Sequence, residues 1–270
     1  MTGRLPRAGV AHVPRKRFGQ HFLHDPGAIA KIVAAVDPRP GEALVEIGPG
    51  LGALTAPLLE RAGRLVAIEI DRDLAARLEE THPALTVHRG DVLEFDFGRL
   101  PEGLRVVGNL PYNVSTPFLF RLAAQAGRLR DVHVMLQREV VDRMVARPST
   151  PAYGRLSVML QYRFAITKLF DVKPGAFRPP PKVDSAFVRM VPLRAEALDV
   201  RDEAQLARVV TAAFTKRRKQ LRNALADVID EAGLRKLGID PKLRPENLSV
   251  ADYVAIANAV VPPADLSPAG

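Results

Sequence analysis

Asn109-Leu110-Pro111-Tyr112 places a carboxamide, a bend and an aromatic ring directly after the run Leu104-Arg105-Val106-Val107-Gly108. An amide at the carboxyl end of a strand accepts hydrogen bonds from an amino group, a proline beside it turns neighbouring carbonyls outward, and a tyrosine ring stacks on a flat one. The set suits the exocyclic amine of a base. It also suits an ordinary strand-to-helix turn, because Asn and Pro are common turn residues and Tyr often covers a helix start. The quartet alone leaves the two readings evenly matched.

Further elements of the same kind precede it. Glu46-Ile47-Gly48-Pro49-Gly50-Leu51-Gly52 follows an apolar run and leads into a helical pattern. Glycines there allow a tight turn and let a ligand approach the backbone. Their spacing is G-x-G-x-G, which differs from the dinucleotide fingerprint G-x-G-x-x-G. The next apolar run ends in Glu69, about twenty residues on, where an acid accepts from both hydroxyls of a ribose. The third is followed by Gly90-Asp91, a carboxylate placed to accept from an adenine amino group. Each acid alone reads as a solvated loop residue. Together, at three successive strand ends, they point to a nucleoside-containing cofactor.

These positions need a sheet behind them. Strands are expected at Ala43 to Ile47, Leu65 to Ile70, Leu85 to His88, Arg105 to Gly108 and Val132 to Leu136, with helical patterns between them such as Leu54 to Arg61 and Leu74 to Glu80. That alternation is the mark of an open, mostly parallel α/β sheet, whose ligands lie beyond the carboxyl ends of its strands. Arg155 to Tyr162 reads as a helix. Phe164 to Val172 and Ser185 to Val191 read as two strands joined by a long loop, Lys173 to Asp184, and so as an antiparallel pair ending the sheet. Beyond about Ala195 only helical patterns remain. The expected organisation is a basic arm over 1–15, a Rossmann-like domain over 16–195, a small all-helical domain over 196–262 and a tail over 263–270.

Composition narrows the class. A chain of 270 residues, 47% apolar and 26% charged, can bury a full core. No apolar run is long enough to span a bilayer and the amino terminus lacks a signal-peptide apolar core, so a soluble, cytoplasmic protein is expected, with no membrane partner. Absence of cysteine excludes disulfides and thiolate metal sites, and no metal is expected. The net charge of +9 is uneven: Arg4, Arg7, Arg15, Lys16 and Arg17 meet no acid before Asp25, whereas charges balance after residue 195. Such an arm suits a polyanion; a solvated tail is the plain alternative.

At this point the residues resemble the ribosomal RNA adenine dimethyltransferases of the KsgA type, which use S-adenosylmethionine. The matching stretches are Phe18-Gly19-Gln20-His21-Phe22-Leu23, the Glu46 to Gly52 turn, Glu69-Ile70-Asp71, Gly90-Asp91, Asn109-Leu110-Pro111-Tyr112-Asn113, Phe177-Arg178-Pro179-Pro180-Pro181-Lys182-Val183 and Phe214-Thr215-Lys216-Arg217-Arg218-Lys219. They run in family order over nearly the whole chain. The resemblance implies that His21 and Leu23 close over the cofactor, Gly48 contacts its methionine part, Glu69 holds the ribose, Asp91 the adenine, and Asn109 borders the methyl donor. Many relatives carry Asn where this chain has His21, which leaves the contact made there open.

The expected substrate is a pair of adjacent adenosines near the 3′ end of small-subunit ribosomal RNA, in a partly assembled subunit, with the enzyme a monomer. The Asn109 side-chain oxygen and the Leu110 or Pro111 carbonyl would take the two N–H groups of adenine N6; no general base is required. Tyr112 would stack on the base, and Phe177 would either take its other face or anchor its own loop in the core. RNA would be held by Arg15, Lys16 and Arg17 and by Lys216, Arg217, Arg218, Lys219 and Arg222. Arg217 and Arg218 interrupt an apolar helical spacing, so a helix break near Thr215 is expected, with cations at a new helix start where the dipole opposes them. Two other readings stand beside this one: an adenine methyltransferase of large-subunit RNA, and a non-catalytic RNA-binding or transcription factor on the same fold.

Overall fold

Residues 44–47, 104–108 and 132–136 are mostly apolar with little alternation, as strands covered on both faces require. In the structure, a computed structural model that describes residues 15, 19–111, 114–194, 197 and 199–260, they form the middle of one sheet. The elements in chain order are β1 (Phe22–Leu23), α1 (Pro26–Val36), β2 (Leu44–Ile47), α2 (Thr55–Ala62), β3 (Leu65–Glu69), α3 (Arg72–Thr81), β4 (Leu85–Arg89), β5 (Leu104–Asn109), α4 (Ser115–Ala124), β6 (Leu129–Gln137), α5 (Arg138–Met144), α6 (Arg155–Gln161), β7 (Phe164–Val172), β8 (Phe177–Arg178) and β9 (Ser185–Pro192). Four helices follow: α7 (Glu203–Thr215), α8 (Leu221–Ala224), α9 (Glu231–Lys236) and α10 (Val250–Ala259).

The seven-stranded sheet runs β4-β3-β2-β5-β6-β9-β7. β4 to β6 are parallel; β9 lies antiparallel to both β6 and β7, which closes the edge. This is the mostly parallel sheet with an antiparallel final pair that the sequence leads one to expect. The strand order reverses between β2 and β5, where Ile47 faces Gly108. A crevice opens beyond the carboxyl ends at such a reversal. Gly108 is fitted to that contact, since a Cβ there would stand 2.6 Å from the Ile47 carbonyl oxygen.

Each sheet face carries its own apolar core. Phe118, Leu119 and Leu122 of α4 and Leu156 and Leu160 of α6 pack on one; Ile32 and Val33 of α1, Leu58 of α2 and Leu78 of α3 pack on the other. A third cluster joins Leu206, Val209 and Val210 of α7 and Tyr253 and Ile256 of α10 to Tyr153 and Val158.

Two features depart from expectation. The segment between β7 and β9 is not all loop, because Phe177 and Arg178 pair antiparallel with Leu23 and Phe22. And although α7 does end at Thr215, the cations that follow do not open the next helix. Lys216 caps α7, the backbone turns with Lys219 N donating to Lys216 O, and α8 starts only at Leu221. Lys216 to Lys219 therefore sit just beyond a helix carboxyl end, where the dipole favours positive charge. Only Arg222 lies inside the short α8, so the dipole argument for an anionic partner at residues 216–219 falls away.

Candidate active site

Four strand ends and the β1 strap enclose a cavity of about 290 Å³. Its wall includes Gln20 to Leu23, Glu46 to Leu51, Ile68 to Ile70, Gly90 to Val92, Asn109 to Pro111 and Phe177. His21, Leu23, Gly48, Glu69, Asp91 and Asn109 are thus brought together, although the first and last stand 88 residues apart.

The floor is acidic and buried. Glu69, at the end of β3, is only 4% exposed; it accepts from Gly50 N at 3.1 Å through Oε2 and from Asp71 N at 2.9 Å through Oε1. Burial pushes its carboxyl above the ordinary range against the pull of those two N–H groups. Glu46, in the middle of β2, accepts the Thr55 hydroxyl at 2.7 Å. Burial raises its pKa to about 7, with Thr55 opposing and the Glu69 charge adding. Sequence reasoning places Glu46 in the glycine turn and gives it no role; the one signal available for it is an acid on an otherwise apolar strand, two residues before a glycine. Asp91 is half-buried, with Oδ1 accepting from Leu93 N at 2.8 Å.

The rim carries Asn109. Its Nδ2 donates to the His21 carbonyl at 3.0 Å. Because a carbonyl only accepts, this bond fixes which way round the carboxamide sits. No described residue donates to its Oδ1. The Pro111 carbonyl is committed to Val114 N at 3.2 Å and the Ser115 hydroxyl at 2.9 Å, whereas the Leu110 carbonyl has no donor among the described residues. Of the two candidate backbone acceptors, Leu110 is the open one.

His21 serves the strap. Its Nδ1 lies 2.7 Å from the Pro179 carbonyl, and so carries the proton, while His24 N donates to Ala176 O at 2.9 Å. Phe177 is 2% exposed and packs with the second core, which matches the anchoring alternative, although it also touches the cavity.

The candidate RNA contacts divide. Arg217 donates to Glu246 at 2.7 Å and to the Pro151 carbonyl at 2.8 Å; Lys216 pairs with Asp227 and Arg222 with Glu231. Arg218 and Lys219 are exposed and have no ion-pair partner among the described residues. Arg15 pairs with Asp71 and Asp73. Lys16, Arg17 and Tyr112 lie outside the described residues.

The cavity fits a positively charged nucleoside. Glu46 and Glu69 both line it and repel each other, which favours positive charge nearby. Gly50, at φ +60°, keeps the turn clear: a Cβ there would stand 3.0 Å from the Phe22 ring. The volume is near the lower end of the usual ~300–1,000 Å³ for ligand cavities. Sheet order and site together define the class of S-adenosylmethionine-dependent methyltransferases.

Residues 11–261 match the family model for ribosomal RNA adenine dimethylases, and the chain belongs to that family. It is similar to the ribosomal RNA small subunit methyltransferase A of Aromatoleum aromaticum, with 63% identity over 251 residues, covering 92% of this chain and 95% of that protein. The protein of the same name in Chromobacterium violaceum is 58% identical, with coverage of 92% and 95%. Among solved structures, a dimethyladenosine transferase from Plasmodium falciparum has the same fold, with TM-score 0.76, 24% identity and coverage of 87% and 96%. The 23S rRNA methyltransferase ErmE matches with TM-score 0.67 at 28% identity over 88% of this chain and 99% of that one.

Proposed function

We propose that this enzyme transfers methyl groups from S-adenosylmethionine to N6 of two adjacent adenosines near the 3′ end of 16S rRNA, giving N6,N6-dimethyladenosine. The observation that carries this reading is the carboxamide of Asn109, held by the His21 carbonyl at the end of β5 with the Leu110 carbonyl open beside it. In its bound state the cofactor supplies an electrophilic methyl on a sulfonium sulfur. Glu69 would hold its ribose, Asp91 its adenine, Gly48 its methionine part, and His21 and Leu23 would cover it.

Adenine N6 is a weak nucleophile because its lone pair is delocalised into the ring. Asn109 Oδ1 and the Leu110 carbonyl accept its two N–H bonds, which favours a pyramidal nitrogen with its lone pair turned toward the cofactor. Each well-placed acceptor is worth ~3 kcal/mol by analogy with other preorganised polar contacts. Orientation supplies more, since effective molarity from correct alignment reaches roughly 7–11 kcal/mol. The base must leave its stack to be reached, and Tyr112 would receive its face. Phe177 would hold the Pro179 to Pro181 loop beside it.

On this reading, residues 16–195 form the catalytic domain, 196–262 the helical RNA-binding domain, and 1–15 a basic arm. The substrate is a partly assembled small subunit, and the enzyme works as a cytoplasmic monomer in subunit biogenesis. Among the described residues no helix is long and apolar enough to cross a membrane. The small-subunit reading is preferred to the large-subunit one because the relatives at 63% and 58% identity carry the former name.

The test is to map N6-methylated adenines in small-subunit RNA from cells with and without this protein. Loss of a dimethylated adjacent pair near the 3′ end, restored by the gene, is expected. An unchanged pair, or a mark lost only from large-subunit RNA, would sink the assignment.

A further inference from the structure

Asp71 is the most completely enclosed carboxylate of the site's surroundings, with 0% exposure, and it stands behind the cavity wall without lining it. As the cap of α3 it needs only to accept from Asp73 N, at 3.1 Å through Oδ1. It does more. Arg15 Nη1 donates to Oδ1 at 3.0 Å and Gln20 Nε2 to Oδ2 at 3.2 Å, while Arg15 N donates back to Gln20 Oε1 at 2.7 Å and Arg15 also reaches Asp73. Four groups close a ring between the segment that enters the strap and the first turn of α3. From Asp71 the connection continues inward: its own N–H is one of the two donors that hold Glu69, and the other belongs to Gly50, against whose turn the Phe22 ring of the strap rests.

We propose that Arg15 and Asp71 are positioning residues for the cofactor, clasping the Gln20 to Leu23 strap to the strand end that carries Glu69. The proposal rests on the proposed function and deepens it, because it takes the cavity to be the S-adenosylmethionine site. Arg15 belongs to the basic run that the sequence offers to RNA. Its position gives it a different role, since a guanidinium bound to a buried carboxylate is held by a charge-assisted pair, and removing it takes a strong donor from Asp71. The strap, still paired with β8 and bonded to Asn109, then loses its tie to the Asp71 side of the site, and the peptide that donates to Glu69 loses one of its supports. The cost falls on cofactor binding, since preorganised contacts lose affinity when the segment bearing them must be ordered by the ligand.

The experiment uses the full chain with Arg15→Ala and, as the conservative partner, Arg15→Lys. S-adenosylmethionine is titrated calorimetrically, and initial rates on small subunits are measured at varied cofactor. Arg15→Ala is expected to weaken cofactor binding about tenfold or more, the size of one charge-assisted hydrogen bond. The KM for cofactor should rise more than kcat falls, the salt slope of RNA binding should stay as in the unmodified protein, and Arg15→Lys should recover part of the loss. Asp71→Asn should weaken cofactor binding similarly, with the double variant no worse than either single one, as expected of one coupled unit. Cofactor affinity within twofold of the unmodified chain overturns the clasp, as does a reduced salt slope with unchanged cofactor affinity, which would make Arg15 a phosphate contact. Equal losses in kcat, KM and thermal stability would make it a structural ion pair and also overturn the proposal. Failure of the unmodified chain to bind S-adenosylmethionine would instead overturn the functional reading beneath it.

Discussion

A carboxamide can present either end, and at Asn109 the choice is made by one backbone carbonyl. His21 O takes the amide hydrogens and leaves Oδ1 as the acceptor. Substitution Asn109→Ala should therefore keep S-adenosylmethionine affinity within a few-fold while lowering kcat by ~10²-fold, the typical cost of deleting one preorganised catalytic contact. Calorimetry and single-turnover methylation separate the two, and undiminished dimethyladenosine formation would refute the role. At this scale the sequence is legible wherever chemistry follows from position on a sheet. Glu69, Asp91 and Asn109 stand out because strand ends on one edge must share one crevice. Which backbone acceptor stays open is not legible: the Pro111 carbonyl is consumed by Val114 and Ser115, a consequence of how tightly the chain turns into α4.

Elements explain what local sequence pattern does not reveal. A two-residue strand has no period to detect, and β1 finds its partner β8 more than 150 residues away, a separation over which local pattern says nothing. The antiparallel pair β7 and β9 is readable because each is long enough to show its own run. The turn between α7 and α8 is half readable: the apolar spacing stops at Thr215, but the length of the following turn depends on Leu221 N bonding to the Leu243 carbonyl. That turn presents its cations unequally. Arg217 is tied to Glu246 and Pro151, whereas Arg218 and Lys219 face outward. Reversing Arg218 and Lys219 to Glu should leave thermal stability nearly unchanged, weaken RNA binding and flatten the plot of log affinity against log salt by about one unit or more, as lost phosphate contacts require. Arg217→Glu should lower stability as well, because it sets two acids against each other. Filter binding at several salt concentrations, with a melting curve for each variant, checks both; equal salt slopes would show that this turn does not meet phosphate.

The molecule as a whole balances two opposed ionisations inside its sheet, Asp131 lying level with Leu44 of β2 and Glu46 two residues further along that strand. On β6, burial opposes the charge of Asp131, yet two hydrogen bonds from Arg105, at 2.9 and 3.0 Å, and His133 3.5 Å away keep its pKa at about 2. Its folded value lies below the unfolded one, so the stability it contributes is present above about pH 4 and is lost as pH falls toward 2. On β2, Glu46 does the reverse. Raised from 4.5 to about 7 by burial, it costs nothing below its unfolded pKa, and its destabilising charge accumulates as pH rises through 7. Glu69, shifted in the same direction by burial, adds to that side. The cofactor-free protein should therefore be most stable in mildly acidic solution, and its unfolding free energy should decline from about pH 5 to about pH 8. Glu46→Gln keeps an acceptor for the Thr55 hydroxyl but has no charge to bury, so it should flatten that decline by up to about 3 kcal/mol, the equivalent of the shift at about 1.4 kcal/mol per unit. Urea unfolding at about pH 5, 6, 7 and 8 decides the matter, and parallel curves for the two proteins would show that Glu46 does not set the slope. The same charge that weakens the empty fold at neutral pH is what a sulfonium ligand would find waiting, so S-adenosylmethionine should stabilise the unmodified protein more at about pH 8 than at about pH 5.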